Sequence, residues 1–420
     1  MAHFRSCAKL LFVTVLFGGT AASAQTSIQF EAMGFISSTY PGRYVLAYAV
    51  SDNGLVAVGM CKTGPPFHVA AFRWTHDTGM QELPFTEATA VSADGGVVVG
   101  YKTTGPSTAV AIRWTAATGA VQLGYLSGGN LSVAQGVSND GTVVVGTSNS
   151  TASLYYGQPF RWTASSGLVS LGTINGGTGI QSYCNGLSDD GAIAVGSTPN
   201  GSGFQESFRW GTETGMQGLG SSGLGSNGAY AVSADGSVVV GRNVQDGFSS
   251  CAFRWTNATG MYTLGDCGSA NVARTVSADG EIIGGTYGLA GSSPAFIWDA
   301  ARGWRNIQQI ISASIPEIAD WYIDGVTGVS ADGQTWVGYS YDPAGYSQGW
   351  IAFIPRPLPC PADVNGDRFV DLSDVALMLS AFGATPSNSN YSLACDIDRN
   401  GVVELGELAS VLAVYGNACP

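Results

Sequence analysis

Basic residues are scarce in this chain: 17 Lys and Arg stand against 30 Asp and Glu, giving a formal charge of −13 at pH 7. Binding to nucleic acid or to an anionic membrane surface rests on lysines and arginines that neutralise phosphates, so no nucleic-acid partner is expected. Histidine is scarcer still, at three residues, of which only His68 and His76 lie beyond the N-terminal leader. That leaves no basis for a zinc site or a histidine-dependent triad. No apolar run approaches the roughly 20 residues that a spanning helix needs, so no membrane insertion is expected either.

The N-terminus carries a secretory signal instead. Arg5 and Lys9 precede an apolar run over residues 10–17, and Ala22-Ser23-Ala24 before Gln25 forms a small-residue cleavage site. Cleavage after residue 24 removes two cations and no acid, so the charge goes from −13 to −15. A secreted protein, extracellular or associated with a cell surface, is expected. Cys7 lies too far ahead of the cleavage site to act as a lipid acceptor.

Export permits disulfides, yet seven cysteines remain, an odd number. Cys184 fills a slot that alanine holds in other repeats and reads as a small buried apolar residue. Cys251 and Cys267 flank one repeat on the same side and read as a bridge, whereas Cys61 has no evident mate.

Sixty glycines and 45% hydrophobic residues mark a core-forming chain with many turns, and an all-β class is expected. One phrase recurs seven times, as in Ala90-Val-Ser-Ala-Asp-Gly-Gly-Val-Val-Val-Gly100. Its serines are Ser51, Ser92, Ser138, Ser188, Ser233, Ser277 and Ser330, at steps of 41, 46, 50, 45, 44 and 53 residues. A second phrase follows each: Phe72-Arg73-Trp74, Ile112-Arg113-Trp114, Phe160-Arg161-Trp162, Phe208-Arg209-Trp210, Phe253-Arg254-Trp255, Phe296-Ile297-Trp298 and the weaker Ala352-Phe353-Ile354. A short apolar stretch closes most units. Four short strands in about 45 residues is the content of one propeller blade.

The seventh unit lacks its fourth strand, while a spare apolar stretch, residues 28–36, precedes the first. Pairing the two closes a seven-bladed β-propeller over residues 25–355 and removes two exposed sheet edges. An open solenoid is the alternative architecture. The two phrases resemble the HAF family of extracellular repeats across most of residues 28–355, and the resemblance implies a secreted repeat protein without supplying catalytic residues.

Asp or Asn before Gly between two strands is a hairpin signal, so Asn53, Asp94, Asp140, Asp190, Asp235, Asp279 and Asp332 read as turn residues. The phrase arginines offer themselves as partners for those aspartates, although Ile297 and Ile354 show that the pairing is dispensable. The flanking aromatics share one strand face and are expected to pack between blades. His76 sits in a turn slot and reads as ordinary surface. Tyr155, Tyr156, Phe248, Tyr287, Tyr341 and Tyr346 fall in variable loops on one face, where a glycan or a protein ligand could be held. Residues 306–324 form an insertion with helical spacing at Ile307, Ile310, Ile311 and Ile315. It is expected to cap that face or to contact a partner. The leading functional expectation is a non-catalytic binding protein. The alternative is an extracellular carbohydrate-active hydrolase of polysaccharide breakdown, with its acids among Glu87, Glu206, Asp246, Asp266 and Asp342.

Residues 356–359 form a proline-rich linker to a second domain, residues 360–420. Two segments offset by 33 residues make it up. In the first, Asp363, Asn365, Asp367, Asp371 and Asp374 take positions 1, 3, 5, 9 and 12 of an EF-hand-type loop, with Phe369 offering a backbone carbonyl at position 7. Asp396, Asp398, Asn400, Glu404 and Glu407 do so in the second, with Val402 at position 7. Oxygen ligands at this spacing suit Ca²⁺. Each loop precedes a helical apolar pattern that ends at Gly383 or Gly416. The pair resembles a dockerin of the Cys-flanked, GC-type kind, opening Cys360-Pro361-Ala362-Asp363 and closing Cys419-Pro420. That resemblance implies a small α-helical domain with two calcium sites, attached to a cohesin-like or cell-surface protein through Leu372, Ser373, Leu405 and Gly406. The second site is expected to be the better formed, because the sharp-turn position is Gly401 there and Arg368 in the first.

Overall fold

The computed structural model describes residues 27–36, 44–62, 68–151, 153–177, 181–220, 226–244, 249–265, 267, 271–288, 294–300, 302–356, 362–365, 369–385, 388, 390, 392, 395 and 402–417. Within them lie seven four-stranded antiparallel sheets. Six are consecutive meanders. In the fifth blade, for example, Asn227–Val232, Val238–Val244, Ser250–Thr256 and Gly260–Thr263 follow one another from the innermost strand outward. The innermost strands of neighbouring blades touch all the way round the ring.

The seventh blade takes its outer strand from the other end of the propeller. Gln29–Ala32 pairs antiparallel with Ser347–Phe353, Gln29 opposite Phe353 and Ala32 opposite Trp350. The expected closure is observed, and the open solenoid is ruled out.

Each innermost strand ends in the repeated serine. Ser233 Oγ donates to Asp235 Oδ1 at 2.7 Å and accepts from Val238 N at 2.9 Å, while Asp235 Oδ1 also accepts from Ser237 N at 2.9 Å. The same set of bonds recurs in all seven turns, with Asn53 in place of aspartate in the first. The following glycine is left-handed each time, as in Gly236 at φ 74°. These aspartates build turns, as expected.

The turns also join the ring. Backbone N–H groups donate from one blade to a carbonyl of the next: Asn53 to Ala93, Ala93 to Asn139, Asn139 to Asp189, Asp189 to Ala234, Ala234 to Ala278, Ala278 to Ala331, and Ala331 back to Asp52, at 2.9–3.4 Å. Seven bonds thereby close a circle around one end of the channel. The phrase arginines strengthen the same seam, and here the expectation is corrected. Arg73, Arg113, Arg161, Arg209 and Arg254 donate through Nε to the carbonyls of Gly95, Gly141, Gly191, Gly236 and Gly280 in the next blade, at 2.9–3.4 Å, rather than to a turn carboxylate.

A bulge breaks every innermost strand at an equivalent place, and the seventh also between Ile323 and Gly325. The register shifts between Ala47 and Ala49, Ala88 and Ala90, Ala134 and Gly136, Cys184 and Gly186, Ala229 and Ala231, Ala273 and Thr275, and Val326 and Gly328. The strand is thereby pressed against a glycine inside the second strand: a Cβ on Gly196 would lie 1.9 Å from the Tyr183 carbonyl oxygen. Close backbone approach, not a left-handed φ, is what that repeated glycine supplies.

Phe72, Phe160, Phe208, Phe253 and Phe296 are fully buried in clusters that combine adjacent blades; Phe253, for instance, packs with Val239 of its own blade and Val195 of the preceding one. The insertion folds as expected. Helix α1 (Ile307–Ser314) is capped by Asn306, whose side chain accepts from Gln309 N, and buries Ile307 and Ile311 beside Trp336 and Trp350. Cys251 and Cys267 are bridged, and Cys61 and Cys184 are buried thiols.

Beyond the propeller, α2 (Leu372–Ala381) and α3 (Leu405–Ala413) share a core of Val370, Met378, Ala381, Cys395, Val403 and Val411. No helix among the described residues is long and apolar enough to cross a membrane.

Candidate functional site

Helices α2 and α3 start alike. Asp371 N donates to Asp374 Oδ2 at 2.9 Å and Asp371 Oδ1 accepts from Ser373 N at 2.8 Å, a reciprocal cap. The Ser373 hydroxyl and N–H hold the Asp371 carboxyl below the usual aspartate range. At the equivalent place Glu404 N donates to Glu407 Oε2 at 2.9 Å. Each loop is then tied to the segment that follows the other helix. Gly383 N donates to Val403 O and Val403 N to Ala384 O; 33 residues on, Gly416 N donates to Val370 O and Val370 N to Asn417 O. The two halves embrace with the symmetry of the sequence duplication.

Asp374 and Glu407, the acids at position 12 of each loop, are 0% and 2% exposed. Asp374 also accepts from Asn365 N at 3.0 Å, and neither acid takes part in any ion pair among the described residues. Asp374 and Glu407 are thus buried carboxylates held by backbone N–H groups, and a bound cation would offset the cost of burying them. The position-7 residues Phe369 and Val402 are described; Asp367, Asp396, Asp398 and Asn400 lie outside the described residues. Among the described residues no group of three or more His, Cys, Asp or Glu is gathered closely enough to hold a metal. Leu372 and Leu405, one step inside each helix, are 70% and 68% exposed.

The propeller has two chemically distinct channel ends. At the ring of turns, Asn139 bonds to both Asp52 and Asp189, whose carboxyls burial pushes up in spite of that bond. At the opposite end the innermost strands begin, and there Glu87 stands opposite Tyr101 in the strand register, with Tyr48 of the preceding blade as a neighbour. Tyr44, Tyr339 and Tyr341 stand within electrostatic reach of one another and of Asp324, and Tyr322 packs on Tyr341 at 6.5 Å between ring centroids. Burial, first, and the neighbouring carboxylates raise the phenols of Tyr44, Tyr48 and Tyr101 above the usual tyrosine value. Arg274 lies over the ring of Tyr230, 5.9 Å from its centre.

Of the loop aromatics, Tyr341 and Tyr346 are exposed, whereas Tyr287 packs edge-on against Trp304 and serves the fold. Phe248 and the side chains of Tyr155 and Tyr156 lie outside the described residues, as do Asp246 and Asp266. Glu206 binds Asn200 Nδ2 and Gly220 N, and Asp342 accepts from Ala344 N, Tyr346 N and Gln348 Nε2, so both organise their own loops. Of the three described candidate acids, Glu87 is the one placed among the tyrosines of the mouth. His76 is more than surface: its Nδ1 lies 2.9 Å from Glu31 of the closing strand.

The tyrosine group escaped sequence reasoning although a signal was present. The residue just after the alanine slot varies from repeat to repeat, Tyr48, Thr89, Gln135, Asn185, Tyr230, Arg274 and Thr327, inside a phrase that otherwise recurs.

No family model matches the chain, and no curated protein matches it. Solved propellers do resemble it. The β-propeller domain of the Trilobed protease from Pyrococcus furiosus is 11% identical, with 74% of this chain and 94% of that one covered and a TM-score of 0.50. Its description names an open velcro topology, whereas here a closing strand pairs with the last blade. TolB from Acinetobacter baumannii is 14% identical over 62% of this chain, at a TM-score of 0.43. Acylaminoacyl peptidase from Pyrococcus horikoshii is 10% identical over 76% of it, at 0.48. The chain spans 63% of the former and 52% of the latter. The likeness to the Trilobed protease domain supports the propeller fold that the sheet topology shows.

Proposed function

We propose that the protein is a secreted, non-catalytic interaction propeller, anchored or assembled through a calcium-dependent, dockerin-like module over residues 360–420. The observation that carries this reading is the pair of buried position-12 acids, Asp374 and Glu407, at the starts of two interlocked helices. In the first loop Asp363, Asn365, Asp367, Asp371 and Asp374 with the Phe369 carbonyl would hold one Ca²⁺. Asp396, Asp398, Asn400, Glu404 and Glu407 with the Val402 carbonyl would hold the second, more tightly, because Gly401 permits the sharp turn. The ion would supply positive charge among eight acids that only two arginines, Arg368 and Arg399, offset in the module. The exposed Leu372 and Leu405 are then the apolar contacts for a cohesin-like or cell-surface protein. HAF-type repeats accord with this extracellular reading.

Amide hydrogen exchange on the whole chain tests it. With Ca²⁺ present the amides of α2 and α3 should exchange at least tenfold more slowly than with chelator, while the blades stay unchanged. Equal exchange of both helices in the two conditions would refute calcium-dependent folding.

A further inference from the structure

The tyrosine-rich end of the channel carries side chains that depart from the repeat. In three blades the bulge slot stitches the ring: Thr89, Asn185 and Thr327 donate to the carbonyls of Ala134, Ala229 and Ala47 in the next blade, at 2.8, 2.7 and 2.8 Å. Gln135 extends the same belt by donating to Asn185 at 3.1 Å. Blades one, five and six give up that stitch for bulk and chemistry. Tyr48 turns to Glu87 instead, and Arg274 lies across Tyr230. These contacts still join neighbouring blades, but through aromatic rings and charged groups in place of hydroxyls and amides.

Blades seven, one and two then place four phenol rings, Tyr44, Tyr48, Tyr101 and Tyr339, by two carboxylates, Glu87 and Asp324, with Tyr341 beside Tyr44 and Tyr322 packed on Tyr341. Tyr44, Tyr322 and Tyr341 are 37%, 37% and 40% exposed, so the group is open to solvent.

We propose that this mouth binds an alkylammonium group. Tyrosine faces attract a cation through their quadrupole, and two carboxylates supply the opposite charge and hydrogen-bond acceptors for its N–H groups. Glu87 starts a strand and stands opposite Tyr101 in the register, so its backbone is fixed before a ligand arrives. The wall already shows the chemistry in one instance, the Arg274 guanidinium on Tyr230. An anion would meet the carboxylates, and a neutral polyol would gain nothing from the charge. The site belongs to the propeller, so it stands or falls separately from the calcium module.

Titration calorimetry on the full chain in excess Ca²⁺ tests it, with 1,5-diaminopentane, 1,5-pentanediol and glutarate as probes. The diamine alone should saturate. Glu87→Gln and Asp324→Asn should each weaken it at least tenfold, and Tyr341→Ala, at an exposed ring, about fivefold with an unchanged melting temperature. This last variant keeps the test valid if Glu87→Gln disturbs folding. Spermidine and an acetyl-Gly-Lys-Gly-amide peptide separate a free polyamine from a lysyl side chain, the tighter probe identifying the source. Equal binding of the diol and the diamine, diamine binding undiminished in all three variants, or no binding by any amine would overturn the proposal.

Discussion

At the scale of single residues, one polar side chain per turn organises seven hairpins. The Ser233 and Ser237 contacts hold the Asp235 carboxyl below its ordinary value, the Ser237 N–H contributing most. A lowered carboxyl stabilises the fold above its unfolded pKa, and that contribution is lost as pH falls through the folded value. Asn53 shows that an amide makes the same bonds without titrating. Asp235→Asn should therefore leave urea-monitored stability at pH 7 almost unchanged, lose less than the parent on acidification to about pH 3, and contrast with Asp235→Ala, which should cost about 1 kcal/mol. Gly196→Ala should cost on the order of 3 kcal/mol, because its Cβ meets a backbone oxygen that the bulge holds in place. The turn role was legible from Asp-Gly between apolar runs. The arginine role was not, since the accepting carbonyl belongs to the following blade and no local spacing encodes it.

At the scale of elements, the closing strand is only four residues, Gln29–Ala32, and it covers Trp350–Phe353 of the seven-residue edge strand Ser347–Phe353. A chain truncated before residue 37 should melt at least several degrees lower and self-associate through Ser347–Phe353, which light scattering during the melt would reveal. The strand is also latched to blade one by Glu31 and His76. The Glu31 hydrogen bond, then its charge, raises the His76 imidazole above its usual value. A raised base stabilises the fold below its unfolded pKa of about 6.5, and the effect is lost as pH rises through the folded value. Glu31→Gln should thus lower the melting temperature at about pH 5.5 and match the parent at about pH 8. Missing and spare strands were countable in the sequence, as was the helical insertion with its isoleucine spacing. The latch was hidden, because 45 residues of chain separate its partners.

At the scale of the whole molecule, the chain divides its labour. Seven blades repeat a framework of turns, bulges and inter-blade phenylalanines, which is why their architecture could be read from periodicity. What distinguishes one blade from another, the tyrosines and acids of the mouth, breaks the period, and repeat counting is blind to it. Ligand spacing in the C-terminal duplication is the basis of the calcium proposal, and the structure adds the burial of Asp374 and Glu407 and the crossed bonds of Val370 and Val403. The central claim is that these loops take up calcium, and titration calorimetry of the full chain with Ca²⁺ addresses it directly. Two ions should bind with unequal affinity, Glu407→Gln abolishing the tighter step and Asp374→Asn the weaker. No saturable Ca²⁺ binding, or two steps that survive both substitutions, would contradict the account.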